Sequence, residues 1–134
     1  MSGFILHPRL EVDTAFVADW ALCRLLAMKD ARYPWLVLVP RRSGAVEIFD
    51  LDEAGRAVLV EETARASRGL KALSGASKMN LGALGNLVPQ LHIHVVARNP
   101  GDAAWPGPVW GQGRAQPYAD DALAAWTARL REDL

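Results

Sequence analysis

Apolar residues are spaced in three different ways along this chain, and each spacing predicts a different element. Trp35–Pro40 (Trp-Leu-Val-Leu-Val-Pro) is continuously apolar, rich in β-branched residues and bounded by prolines. That is the pattern of a strand covered on both faces. Beyond Asp50 the spacing becomes helical, with Leu59, Thr63, Ala66, Leu70 and Leu73 recurring at a period of about 3.6 residues. Asp50 or Asp52 can cap this helix, and Ser74-Gly75 ends it, glycine being the favoured terminator. At Gln90–Val95 the pattern changes again, to alternation of Gln90, His92 and His94 with Leu91, Ile93 and Val95. A strand over Leu91–Arg98 therefore projects its polar side chains from one face.

The remaining segments fit around these. Phe16–Trp20 and Ala21–Met28 read as two short strands parted at Asp19-Trp20, or as one bent strand. Arg41-Arg42-Ser43-Gly44 marks a turn, and Ala45–Phe49 fits either a strand or a loop. Lys78–Leu81 reads as a strand and Gly82–Pro89 as a glycine-containing loop. Residues 1–14 are mixed and interrupted by Pro8, with His7 a surface position. Asn99–Pro117 holds four prolines and should be irregular. A last helix opens between Tyr118 and Asp121 and buries Leu123, Trp126, Leu130 and Leu134. Strands in runs around one long helix predict an α+β fold, with an antiparallel sheet of about five strands. Lys78–Arg98 leaves room for a hairpin but not for a helical crossover.

With 134 residues the chain is expected to form one domain, residues 99–134 adding an irregular segment and a C-terminal helix. Fifteen basic and fifteen acidic residues cancel. Beyond Arg41-Arg42 there is no basic stripe for a nucleic-acid duplex, whereas a small polyphosphate ligand needs none. Cys23 is the single cysteine, in an apolar run that suits a buried small hydrophobe better than a reactive thiol. No apolar run approaches the ~20 residues that span a bilayer, and no signal-like segment opens the chain, so a cytoplasmic protein with no membrane partner is expected.

Two of the three histidines sit on the alternating strand. Imidazole is too polar to bury without a partner, and it can act as nucleophile, acid, base or metal ligand near neutral pH. Three readings are open. The histidines can be exposed polar residues of a half-buried strand. They can form a metal pair, which needs at least one further ligand, and no third histidine lies nearby. Or one imidazole can attack an α-phosphate while the other bonds a phosphate oxygen. Gly82-Ala83-Leu84-Gly85-Asn86, just upstream, lets backbone approach such a ligand closely.

Gly85–Arg98 resembles the signature of the histidine triad (HIT) superfamily of nucleotide hydrolases and transferases, which places histidines at three alternate positions of one strand. Leu36–Pro40 resembles that family's apolar strand ending in proline, and Asp50–Leu73 its long helix. Met79-Asn80 and Gly85-Asn86 resemble the polar positions leading into the triad. Trp105-Pro106-Gly107 is similar to a Trp-Pro segment that follows the triad in one branch. The likeness runs over most of residues 14–98 and is specific at the triad segment. It implies that His92 is the nucleophile forming a nucleotidyl-histidine intermediate and that His94 contacts the phosphate. Gln90 stands at the first position, where the family usually has histidine; glutamine can orient a neighbour but cannot carry a proton at neutral pH. The nucleotidyltransferase branch tolerates glutamine at the third position. A second departure is Tyr33-Pro34-Trp35, where the family often has Gly-His; Trp35 is then core or lines a base pocket. Asn80, Asn86 and Gly85 become candidate ribose or phosphate contacts, and Asp30 a candidate nucleoside contact. The resemblance implies a nucleoside phosphate or phosphoramidate substrate, no cofactor or metal in the mechanism, and a homodimer. The rival functions are a nucleotide-binding module with weakened catalysis and a metal-dependent hydrolase using the histidine pair.

Overall fold

The apolar run at residues 35–40 occupies the middle of a five-stranded antiparallel sheet, in a computed structural model that describes residues 3–134. The strands are β1 (Thr14–Asp19), β2 (Cys23–Met28), β3 (Trp35–Pro40), β4 (Lys78–Gly82) and β5 (Ile93–Arg98), in the order β1-β2-β3-β5-β4. The helices are α1 (Pro8–Asp13), α2 (Glu53–Ser74) and α3 (Ala122–Asp133), with a 3-10 turn at Ile48–Asp50. The α+β architecture expected from strands in runs is the one formed.

Residues 14–28 make two strands, joined at a tight turn where Trp20 N–H donates to the Cys23 carbonyl at 2.9 Å. β1 carries an irregularity between Phe16 and Ala18, which leaves Val17 out of the register with β2. The Val17 carbonyl accepts instead from Arg131 Nε at 2.9 Å, anchoring α3 to this edge. Of the two candidate caps, Asp52 takes the N-cap of α2 and accepts from Gly55 N–H at 2.7 Å. Asp50 closes the preceding turn, accepting from the Val46 and Glu47 amides. Gly75, at φ 69°, ends the helix. Pro8 opens a short helix that residues 1–14 do not announce by periodicity, and the His7 side chain accepts from Arg9 N–H at its start.

Alternation along the strands separates two cores. Ile93 and Val95 of β5 face α2 and α3 with Leu25, Leu36 and Leu38, packing on Leu59, Ala66, Leu70 and Leu130. The opposite face carries Leu26, Trp35, Val37, Val39 and Val96, covered by Leu10 of α1 and by Val88 and Val109 from the loops. Both faces of β3 and β5 are thus shielded, and polar groups on β5 enter a low-dielectric layer. Glu62 is the one charged residue buried on α2. Its carboxylate accepts from the Leu22 and Cys23 amides at 3.1 and 2.7 Å, closing backbone donors at the β1–β2 turn. Burial, with the Glu62 carboxylate beside it, pushes the Cys23 thiol up, so the lone cysteine is packing material.

Candidate active site

His94 stands on β5 between Val37 of β3 and Gly82 of β4. Its side chain leaves the sheet on the face opposite α2, among Trp35, Trp110 and His92. Gly82 presents no side chain there, and the Trp110 ring takes the space: a Cβ at residue 82 would lie 3.0 Å from that ring. Trp110 sits 5.5 Å from His94, ring to ring, in edge-to-face geometry. On the other side Trp35 reaches His94 diagonally across β3, as a large ring can. The Trp35 indole Nε1 donates to His94 Nδ1 at 3.0 Å. Burial, and then the neighbouring His92, push the His94 pKa down to about 3. His94 is therefore uncharged at neutral pH.

His92 lies one residue before β5 and contacts His94 at 4.8 Å between ring centroids. Its Nδ1 is 2.7 Å from the Gln90 backbone carbonyl. A carbonyl only accepts, so Nδ1 carries the hydrogen and Nε2 keeps its lone pair. The side chain of Gln90 turns elsewhere. Its Nε2 donates to the Ile5 carbonyl and its Oε1 accepts from His7 N–H, each at 2.9 Å. The expectation that the Gln90 side chain orients a histidine is corrected here: its carbonyl does so. The reason is local. The ladder begins at Ile93, and Leu91 N–H is taken by the Ala45 carbonyl, so strict alternation stops short of Gln90.

The histidines open into a cleft of about 1060 Å³. Gly85 and Asn86, both candidate contacts, line it beside His92 and His94, and Gly85 holds a φ of 77° in the loop leading into the strand. Asp30 also lines the cleft, just past the end of β2. Its carboxylate is already engaged by Arg32 Nε and Nη2 at 3.0 and 2.8 Å and by Gln116 N–H. Burial alone would raise its pKa, but these bonds together outweigh it and hold the carboxyl below the usual range. Tyr118 faces the same region, its hydroxyl pKa pushed up by burial and by the Asp30 charge.

Asn80 is not among the residues lining the cleft. Its Oδ1 accepts from Arg98 Nη1 at 2.8 Å. Arg98, 1% exposed, also pairs through two nitrogens with Asp102 and donates to the Gly107 carbonyl at 2.9 Å. The arginine hydrogen bond holds the Asp102 carboxyl below its ordinary range. This knot pins residues 99–107 to the sheet and so carries Val109 and Trp110 over the histidines. Asn80 thus serves the scaffold. Sequence reasoning missed Trp110, Arg32 and Arg98, and it left Trp35 between core and base pocket. The available signals were a charge on the polar-facing alternation of β5 for Arg98, and the i, i+2 acid–base pair for Arg32.

Among the described residues no group of three or more His, Cys, Asp or Glu side chains is placed to hold a metal ion. Nor is any helix among them long and apolar enough to cross a membrane.

The α+β fold with its five-stranded antiparallel sheet matches that of solved histidine triad proteins. The HIT domain family model matches residues 9–101. A histidine triad protein from Bradyrhizobium japonicum is 49% identical, with 97% of each chain covered and a TM-score of 0.94. One from Sinorhizobium meliloti is 46% identical over 100% of this chain and 99% of its own, with a TM-score of 0.96. A third, from Marinobacter aquaeolei, is 45% identical over 98% and 96%, with a TM-score of 0.94. No curated protein matches the chain. The chain belongs to the HIT domain family.

Proposed function

We propose that this chain hydrolyses or transfers nucleoside phosphates by attack of His92 Nε2 on the α-phosphorus, through a nucleotidyl-histidine intermediate. The observation that carries this reading is the 2.7 Å contact from His92 Nδ1 to the Gln90 carbonyl, which leaves Nε2 as the free nucleophile. His94, held neutral, offers a hydrogen bond to a phosphate oxygen. Gly85 and Asn86 supply backbone and amide groups beside it, and the cleft has room for a nucleoside beyond. HIT family proteins are commonly nucleotide hydrolases or transferases, which supports a small nucleotide as ligand. Water or another acceptor then releases the nucleoside monophosphate.

Gln90 is read as standing at the first triad position. A binding module without turnover is the natural alternative when that histidine is missing. The contact that orients His92 comes from main chain, however, so a change of side chain at residue 90 leaves it in place. Mass spectrometry after brief exposure to AMP and GMP derivatives tests the proposal. A nucleotidyl adduct on His92 is expected in the wild type and absent in His92→Ala, with turnover reduced about a thousandfold or more. Binding of AMP with no adduct from any such compound would leave only the binding module. The family resemblance further suggests a homodimer in the cytoplasm; sedimentation and cell fractionation check these two expectations.

A further inference from the structure

The two histidines are held by partners of opposite kind. A carbonyl holds His92 and can only accept; an indole N–H holds His94 and can only donate. Neutral His94 with Nδ1 occupied as acceptor must carry its one proton on Nε2. His92 is the reverse, with its proton on Nδ1 and its lone pair on Nε2. Side by side at 4.8 Å, the rings therefore present one electron pair and one N–H donor.

We propose that Trp35 is a positioning residue that locks His94 as a neutral Nε2–H donor, so that the pair stabilises the reacting phosphate without protonating the leaving group. This rests on the reading of His92 as nucleophile. In the first step a bond forms from His92 Nε2 to the α-phosphorus while the bond to the leaving group breaks. The electron pair leaves on the departing atom, and the proton stays on His92 Nδ1, hydrogen-bonded to the Gln90 carbonyl. In the second step water attacks phosphorus, the N–P bond breaks, its electrons return to Nε2, and the water proton goes to solvent. The leaving group departs as an anion in this sequence. An amine leaving group needs a proton that neither histidine supplies.

The surroundings of His94 offer no substitute. Trp35 and Val37 of β3, Gly82 of β4, Trp110 and His92 pack against it, and His92 is the one acid–base side chain among them. Lys29 lines the same cleft, but His94 is level with Val37 and, through it, with Leu26. Lys29 lies three residues past Leu26, roughly 10 Å along the strand direction at ~3.3 Å per residue. Asp30, Arg32 and Tyr118 gather beyond that same end. Asp13 and, in the small hollow on the other side of His92, Glu47 are carboxylates that accept rather than donate when ionised.

Nitrogen-15 spectra of the wild-type imidazoles read the tautomers directly and need no turnover. A protonated Nε2 and bare Nδ1 on His94, unchanged from pH 8 to 5, are expected; a proton on Nδ1, or titration near neutrality, would overturn the proposal. Trp35→Phe removes the indole donor and frees Nδ1 to take a second proton. In that variant His94 should titrate, the acid limb of the kcat profile should gain an inflection, and kcat should fall about tenfold with KM nearly unchanged. An unaltered pH profile in a folded variant would refute the role of Trp35. Across AMP aryl esters the wild-type rate should fall steeply with leaving-group basicity; a flat dependence would show that a proton is supplied. Loss of the His92 adduct with every compound would instead sink the nucleophile reading and leave the tautomer result standing.

Discussion

Trp35 Nε1 lies 3.0 Å from His94 Nδ1, a hydrogen bond between residues 59 apart in sequence. It joins the first residue of β3 to the second residue of β5. The antiparallel register decides this pairing, because Trp35 is opposite Val96 and Val37 is opposite His94. A shift of one residue would turn both side chains to opposite faces. Fold and proposed chemistry meet at that bond.

Burial of neutral His94 makes stability depend on pH. Its folded pKa, about 3, lies below the ordinary histidine value of about 6.5. The unfolded chain therefore binds a proton more readily, and the stabilising contribution is complete above pH 6.5 and lost as pH falls toward 3. At pH 5 the loss is about 2 kcal/mol. Urea unfolding at pH 7.5 and pH 5 should show this difference in the wild type and a much smaller one in His94→Gln.

The Trp110 ring fills the space beside Gly82, where a Cβ would lie 3.0 Å from it. Valine there keeps the strand pairing but pushes the Trp110 ring off His94. Calorimetry with AMP should give affinity about tenfold weaker, with Tm shifted by less than about 4 °C. A valine variant that binds AMP as the wild type does would show that Trp110 does not shape the cleft.

Asn80→Ala and Arg98→Met separate scaffold from contact. Arg98→Met removes the buried guanidinium and leaves the partly buried Asp102 carboxylate without its partner, and should cost about 3 kcal/mol. Asn80→Ala removes one charge-assisted bond and should cost about 1–3 kcal/mol. If Asn80 serves the scaffold alone, its variant retains wild-type KM at temperatures where it is fully folded. A large KM increase in a stable Asn80→Ala protein would restore it as a substrate contact.

Glu62→Leu tests the buried carboxylate of α2. Leucine fits the apolar surroundings but strands the Leu22 and Cys23 amides, so destabilisation of about 2–4 kcal/mol is expected by denaturant titration. The Cys23 thiol should also react faster with a disulfide reagent once the turn loosens.

The elements with strong periodicity were legible in the sequence. β3 showed as an unbroken apolar run and α2 as a helical period with an aspartate cap and a glycine stop. The two histidines were legible because alternation fixes a shared face. Gln90 was not, because its direction depends on where the ladder begins, and a distant carbonyl at Ala45 sets that boundary. Arg98 looked like the polar end of a strand, yet its charge is met by Asp102, Asn80 and Gly107 from two other segments. Trp110 lies in a segment with no periodicity, so only the tertiary path of residues 99–119 brings it to Gly82. Asp30 showed as a candidate contact, while its engagement by Arg32 and the Gln116 amide depends on the fold bringing residue 116 to the end of β2.

The amide of Gln90 clips the main chain at Ile5 and His7, while the carbonyl of the same residue steers His92. The first residues of the described chain are consequently part of the support of the nucleophile, although none of them lines the cleft next to it. A fusion partner joined close ahead of them, or a protease that trims them, should change turnover without touching any histidine. For anyone measuring this protein, the position of the affinity tag becomes an experimental variable.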